Sequence, residues 1–128
     1  MNTLIAQNLN VLLVDDSDLL RAKVKELIAE VAGVQKIETA ASLPEAREIV
    51  KNNHIDAIVL DIQLPDGNGL DFLKWVKFLY PAICVIMFSN CADDCHRAVA
   101  KINGAEYFFD KSREFQKLPV ALAELINL

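Results

Sequence analysis

Four groups of polar residues in this chain stand directly after short apolar runs. Asp15 and Asp16 follow Val11-Leu12-Leu13-Val14, and Asp61 follows Ala57-Ile58-Val59-Leu60. Ser89 and Asn90 follow Ile83 to Phe88, and Asp110 and Lys111 follow Tyr107-Phe108-Phe109. Singly, each has an ordinary explanation. Asp15, Asp16 and Ser89 are of the types that cap helices, Asp61 suits the turn at Pro65-Asp66-Gly67, and Lys111 reads as a solvated lysine. Together they are the equipment for handling a phosphoryl group. Three converging carboxylates repel one another and resist ionisation unless a cation sits among them. A hard divalent ion, Mg²⁺ above all, relieves this with one or two carboxylates, waters and phosphate oxygens as ligands. A lysine adds a point charge suited to phosphate, and a serine adds a hydroxyl. Phosphoryl transfer is mostly positioning and charge stabilisation, and a carboxylate can itself be the nucleophile, forming an aspartyl phosphate.

These residues are far apart in sequence, so the fold must bring them together. The runs at 57–60 and 83–88 are apolar on both sides, which predicts buried strands of a parallel sheet. Leu9 to Val14 is the first strand. Ser17 is a helix N-cap with Asp18 in the first turn, and Leu20, Val24, Leu27, Ile28 and Val31 form the stripe of a helix reaching about Ala32, stopped by Gly33. Val34 to Ala40 alternates less cleanly and carries charges, as an edge strand does. Ser42-Leu43-Pro44-Glu45 is a capping box opening a helix to about Lys51. After a loop over Pro65–Gly69, a third helix covers about Leu70 to Leu79, with Phe72, Leu73, Val76 and Leu79 among its apolar positions. A fourth is expected over about Ala92–Ile102, with Asp93 and Asp94 in its first turn. Tyr107 to Phe109 is the last strand. The final helix spans about Glu114–Ile126, with an irregular turn up to Lys117 so that Pro119 falls near its start. A strand–helix pair repeated five times with short connections predicts an α/β, doubly wound (βα)5 flavodoxin-like sandwich. Its parallel five-stranded sheet has the order 2-1-3-4-5, which puts the weakest strand on an edge. Parallel strands bring all four polar groups to one rim, where ligands bind in such sheets.

The 128 residues suit one domain over 1–128, with no output domain in this chain. With 53% hydrophobic and 24% charged residues the chain is globular and not disordered. No apolar run approaches the ~20 residues of a membrane span. Met1 to Asn8 lacks the features of a signal peptide, so a cytoplasmic location is expected. A net charge of −5 argues against direct nucleic-acid binding. The odd cysteine count (Cys84, Cys91 and Cys95) fits free thiols in a reducing compartment. Cys84 reads as a core residue. Cys91, Cys95 and His96 lack the second ligand pair of a structural zinc site.

Over nearly its whole length the chain resembles the response-regulator receiver domains of two-component signalling, the chemotaxis regulators included. The resemblance rests on Val14-Asp15-Asp16-Ser17, on Leu60-Asp61-Ile62-Gln63-Leu64-Pro65-Asp66-Gly67, on Ser89, and on Gly104-Ala105 leading to Lys111. It implies that Asp61 is the phosphoacceptor, supplied by a histidine kinase or histidine phosphotransfer protein. Asp15, Asp16, Asp61 and the main-chain carbonyl of Gln63 would hold Mg²⁺. Lys111 would pair with a phosphoryl oxygen, while Ser89 and Phe108 would be the switch residues. The modified surface of helix four, strand five and helix five would engage a downstream target or output domain, or a second copy of the chain. No turnover of an external substrate is implied.

Three residues depart from the family pattern. Asn90 stands where a small residue is usual and is expected to modulate access to the phosphoryl group. Ser112 replaces the usual Pro after Lys111. Asp110 beside Lys111 is expected to face solvent on the other side of its strand. Two other classes of function compete. A phosphorylation-independent interaction module of the same fold is countered by the intact acidic set. An Asp-nucleophile phosphatase is countered by the lack of a second acid for the leaving group, since Gln63 cannot act as one. In the final helix, Leu118, Val120, Ala121, Leu122, Leu125, Ile126 and Leu128 exceed one core-facing stripe. Most are expected to be buried, the alternative being a docking face.

Overall fold

The computed structural model describes residues 8–126. Five strands, β1 (Leu9–Val14), β2 (Val34–Ala40), β3 (Ala57–Leu60), β4 (Cys84–Ser89) and β5 (Tyr107–Asp110), alternate with five helices. These are α1 (Asp18–Ala29), α2 (Leu43–Asn52), α3 (Gly69–Leu79), α4 (Asp94–Ile102) and α5 (Lys117–Ile126). The strands form one parallel sheet in the order β2-β1-β3-β4-β5, the predicted doubly wound arrangement with the charged strand at an edge. The register pairs Val14 with Leu60, Leu60 with Met87 and Met87 with Phe108. The polar residues just beyond these positions therefore lie along one rim.

Alternating side chains of the buried strands serve two cores. Leu12, Val14, Ile58, Leu60, Val85 and Met87 pack with Ala46, Val50, Phe72, Leu73, Val76 and Ala100 from α2, α3 and α4. Val11, Leu13, Val59, Ile86 and Phe88 pack with Val24, Ile28, Leu118, Ala121 and Leu122 from α1 and α5. Helices thus cover both faces, which explains why β3 and β4 are apolar throughout. Each fully buried aliphatic side chain contributes roughly 1.5–3 kcal/mol, and of the strands that end at the site β1, β3 and β4 are so buried, whereas the edge strand β5 is half-buried throughout.

Capping follows the sequence. The Ser17 hydroxyl accepts from Leu20 N, and that of Ser42 from Glu45 N. Glu45 completes its box one residue early, accepting from Ala41 N at 2.7 Å. Several expectations need correction. α1 ends at Ala29, before the expected Ala32, and a turn carries the chain to Gly33 at φ 101°, a conformation that favours glycine. Asp93 is the N-cap of α4, accepting from His96 N, and is not in the first turn. Leu79, at the last residue of α3, is 49% exposed. The 65–69 loop contains half of a small antiparallel hairpin, Gln63–Leu64 against Gly67–Asn68. As expected, the regular helix α5 starts only at Lys117, so Pro119 lies in the first turn, where no intrahelical N–H bond is required. Of its apolar residues only Val120 is largely exposed among those described. Leu128 lies outside the described residues. No helix among the described residues is long and apolar enough to cross a membrane.

Candidate functional site: an acidic nest closed by a lysine

The rim gathers the predicted residues. Asp15 and Asp61 are buried, and Asp16 beside them is exposed. Each of the three offers a carboxylate oxygen within 4.8 Å of the others. Each buried carboxylate is held at both ends. Asp15 Oδ1 accepts from Ser17 N at 2.9 Å and Asp61 Oδ1 from Ile62 N at 2.7 Å. The other oxygen of each meets Lys111 Nζ, at 2.6 Å from Asp15 and 2.8 Å from Asp61. The ends of β1, β3 and β5, up to 96 residues apart in sequence, are thereby joined by one ammonium group.

Burial pulls the Lys111 ammonium toward neutrality, but its hydrogen bonds and charge contacts with Asp15 and Asp61 outweigh that and raise its pKa above the usual lysine value. Lys111 compensates one of three carboxylate charges. Asp16 joins no ion pair among the described residues. Three hard oxygen donors with an uncompensated negative charge, one of them open to solvent, fit a divalent cation such as Mg²⁺.

The other predicted residues surround the nest. Ser89 is 1% exposed, and its Oγ accepts from Cys91 N at 3.1 Å, so the hydroxyl is turned toward its own loop. Asn90 is exposed, and its Oδ1 accepts from Ser112 Oγ at 2.8 Å. Gln63 is exposed in the hairpin. Phe108 is half-buried against the core on the α2–α4 side, with the Arg97 guanidinium 4.9 Å from its ring centroid. The Asp110 carboxylate does not compete for Lys111. It is half-buried and folds onto the next turn, accepting from Ser112 N and Arg113 N, and so is not simply turned to solvent. The peptide from Lys111 to Ser112 is trans, as are all those described. Among the described residues, the acidic or thiol–imidazole group arranged for a metal is Asp15, Asp16 and Asp61.

Two residues of the site escaped the sequence reading. Gly69 presses α3 onto the end of β3: a Cβ there would lie 1.9 Å from the Asp61 carbonyl oxygen, and Gly69 N donates to Ile62 O at 2.7 Å. The only local signal was a glycine directly before a helical stripe. Glu114 accepts from Asp110 N and pairs with Arg97 and Lys117, which carries no local signal.

Residues 11–123 match the sequence profile of the response regulator receiver domain. The chain belongs to that family. It is 30% identical over 117 residues to the transcriptional regulatory protein MalR of Bacillus subtilis, covering 91% of this chain and 49% of MalR. It spans about half the length of that relative and, for example, 22% and 32% of two protein-glutamate methylesterases it also matches. Among solved structures, the response regulator domain of Thermotoga maritima CheB is similar at TM-score 0.81 and 29% identity, over 94% of both chains. The CheY-like receiver domain protein of Methanospirillum hungatei is similar at TM-score 0.84 and 24% identity, also over 94% of both.

Proposed function

We propose that this receiver domain accepts a phosphoryl group on Asp61 from a histidine kinase or histidine phosphotransfer protein and passes the change to a partner. The observation that carries the reading is the Lys111 ammonium shared between Asp15 and Asp61 beside the open carboxylate of Asp16. A carboxylate oxygen of Asp61 attacks the phosphorus of the donor. The P–O bond to Asp61 forms as the donor's P–N bond breaks, and the electron pair stays on an imidazole nitrogen whose ring is protonated at the other position. Lys111 follows the new charge, exchanging its contact with Asp61 for a phosphoryl oxygen, while Asp15 keeps it oriented. Asp15, Asp16, Asp61 and the main-chain carbonyl of Gln63 would hold Mg²⁺, whose chemistry is to offset the charge of the approaching phosphoryl group.

Ser89 then leaves Cys91 N for the phosphoryl group, and Phe108 follows. The altered face of α4, β5 and α5 engages a downstream target, an output domain or a second copy. The domain is a cytoplasmic phosphoacceptor without turnover of an external substrate. Treatment with acetyl phosphate and Mg²⁺ tests this. A hydroxylamine-labile phosphoryl group that fails to form when EDTA removes the metal supports it, and none under either condition contradicts it.

The Asn90–Ser112 bridge beside Ser89 favours a second reading, a module controlled by protein contacts alone. The two meet in one measurement. If Asn90 only modulates access, Asn90→Ala changes the phosphorylation and dephosphorylation rates. If it blocks the chemistry, wild type stays unmodified and Asn90→Ala gains a phosphoryl group.

A further inference from the structure

We propose that Arg97 restrains the switch that answers phosphorylation of Asp61, on which reading this inference rests. It clasps Phe108 to the loop after Ser89 in the unmodified protein and lets go when Ser89 moves. Its guanidinium is used on every side. Nε donates to Ala92 O at 2.9 Å, one nitrogen donates to Phe108 O at 3.2 Å, and the other pairs with Glu114 Oε1 at 3.2 Å. Its flat face lies over the Phe108 ring, 4.9 Å from the centroid, a cation–π contact. One side chain therefore joins the segment behind Ser89, the backbone and ring of Phe108, and the turn after Lys111.

Ser89 links this clasp to the chemistry. Its Oγ is held by Cys91 N, one residue before Ala92. Turning that hydroxyl to a phosphoryl group on Asp61 breaks the Cys91 bond and reshapes 90–92, the segment whose carbonyl anchors Arg97. A planar, forked donor cannot keep three acceptors on three segments when one of them shifts. The clasp thus favours the unmodified state, and by linkage its removal must favour binding of a phosphoryl group.

The sign separates this role from plain electrostatics. Arg97 is a cation near an anion site, so a charge effect alone makes its loss weaken anion binding, and a merely structural role leaves affinity unchanged or lower. The test is titration of the full chain with beryllofluoride and Mg²⁺, alongside Arg97→Ala, Arg97→Lys and Asp61→Asn. Both Arg97 variants are expected to bind about fivefold tighter or better than wild type, since lysine keeps the charge and cannot span three acceptors. Wild-type affinity or weaker in Arg97→Ala overturns the clasp. Failure of wild type itself to bind overturns the phosphorylation reading instead. In that event Phe108 ring signals in NMR still decide the contact: a Phe108 environment unchanged by Arg97→Ala, with the fold intact, overturns it, and a shifted one upholds it.

Discussion

Asp61 is made distinctive by its neighbours. An isolated aspartate after a strand is a common turn residue; this one is buried, bonded at one oxygen by Ile62 N and at the other by Lys111. Two predictions belong to this scale. Lys111→Met removes the ammonium between two buried carboxylates, costing about 3 kcal/mol of stability without metal. The same change leaves the nest more negative, so Mg²⁺ binds more tightly, which a metal titration reads out as a lower Kd; a higher one contradicts the shared-cation account. Gly69→Ala places a methyl group against the Asp61 carbonyl. It is expected to destabilise the fold by about 2 kcal/mol or more in denaturant melts and to slow phosphorylation. Asp15, Asp16, Asp61, Ser89 and Lys111 were legible because each follows a run whose pattern announces a strand end. Gly69 was not, since its close approach to Asp61 is a fact of tertiary packing.

At the scale of elements, the turn between β5 and α5 is organised by Glu114. Its carboxylate accepts from Asp110 N, meets Lys117 at 2.8 Å and Arg97 at 3.2 Å, and its pKa is pushed down from 4.5 to about 2. A folded-state pKa below the unfolded value gives stability that is complete above about pH 4.5 and is lost as pH falls toward 2. Glu114→Gln is therefore expected to cost about 1.5 kcal/mol at neutral pH, and the gap from wild type should shrink in denaturant melts as pH is lowered through that window. A gap independent of pH would contradict the assignment. The ten principal elements were legible from apolar runs, caps and glycine stops, with boundaries off by a few residues where tertiary contacts decide. The hairpin at 63–68 was missed because two-residue strands leave no periodicity, and Glu114 was read only as part of the irregular turn that opens the final helix.

For the whole molecule, the doubly wound sheet turns sequence distance into proximity at its rim, with both faces covered so that the rim is held rigidly. A cation bound there stabilises the fold by mass action, about 2.7 kcal/mol at a hundred times the Kd. Asp16 is exposed, makes no ion pair among the described residues and adds a third charge to the nest, so Asp16→Asn should raise the metal-free Tm by relieving repulsion and abolish the rise that Mg²⁺ gives wild type. The topology followed from the alternation of elements, and the convergence of Asp15, Asp61 and Lys111 followed from the topology. The Arg97 network did not, because it joins three segments through one side chain whose sequence neighbours say nothing of it. The most direct test of the central claim is the intact mass of wild type and Asp61→Asn after incubation with Mg²⁺ and acetyl phosphate or a histidine kinase. A phosphoryl-sized gain in wild type alone is predicted. No gain with any donor, or an equal gain in both proteins, would contradict Asp61 as the acceptor.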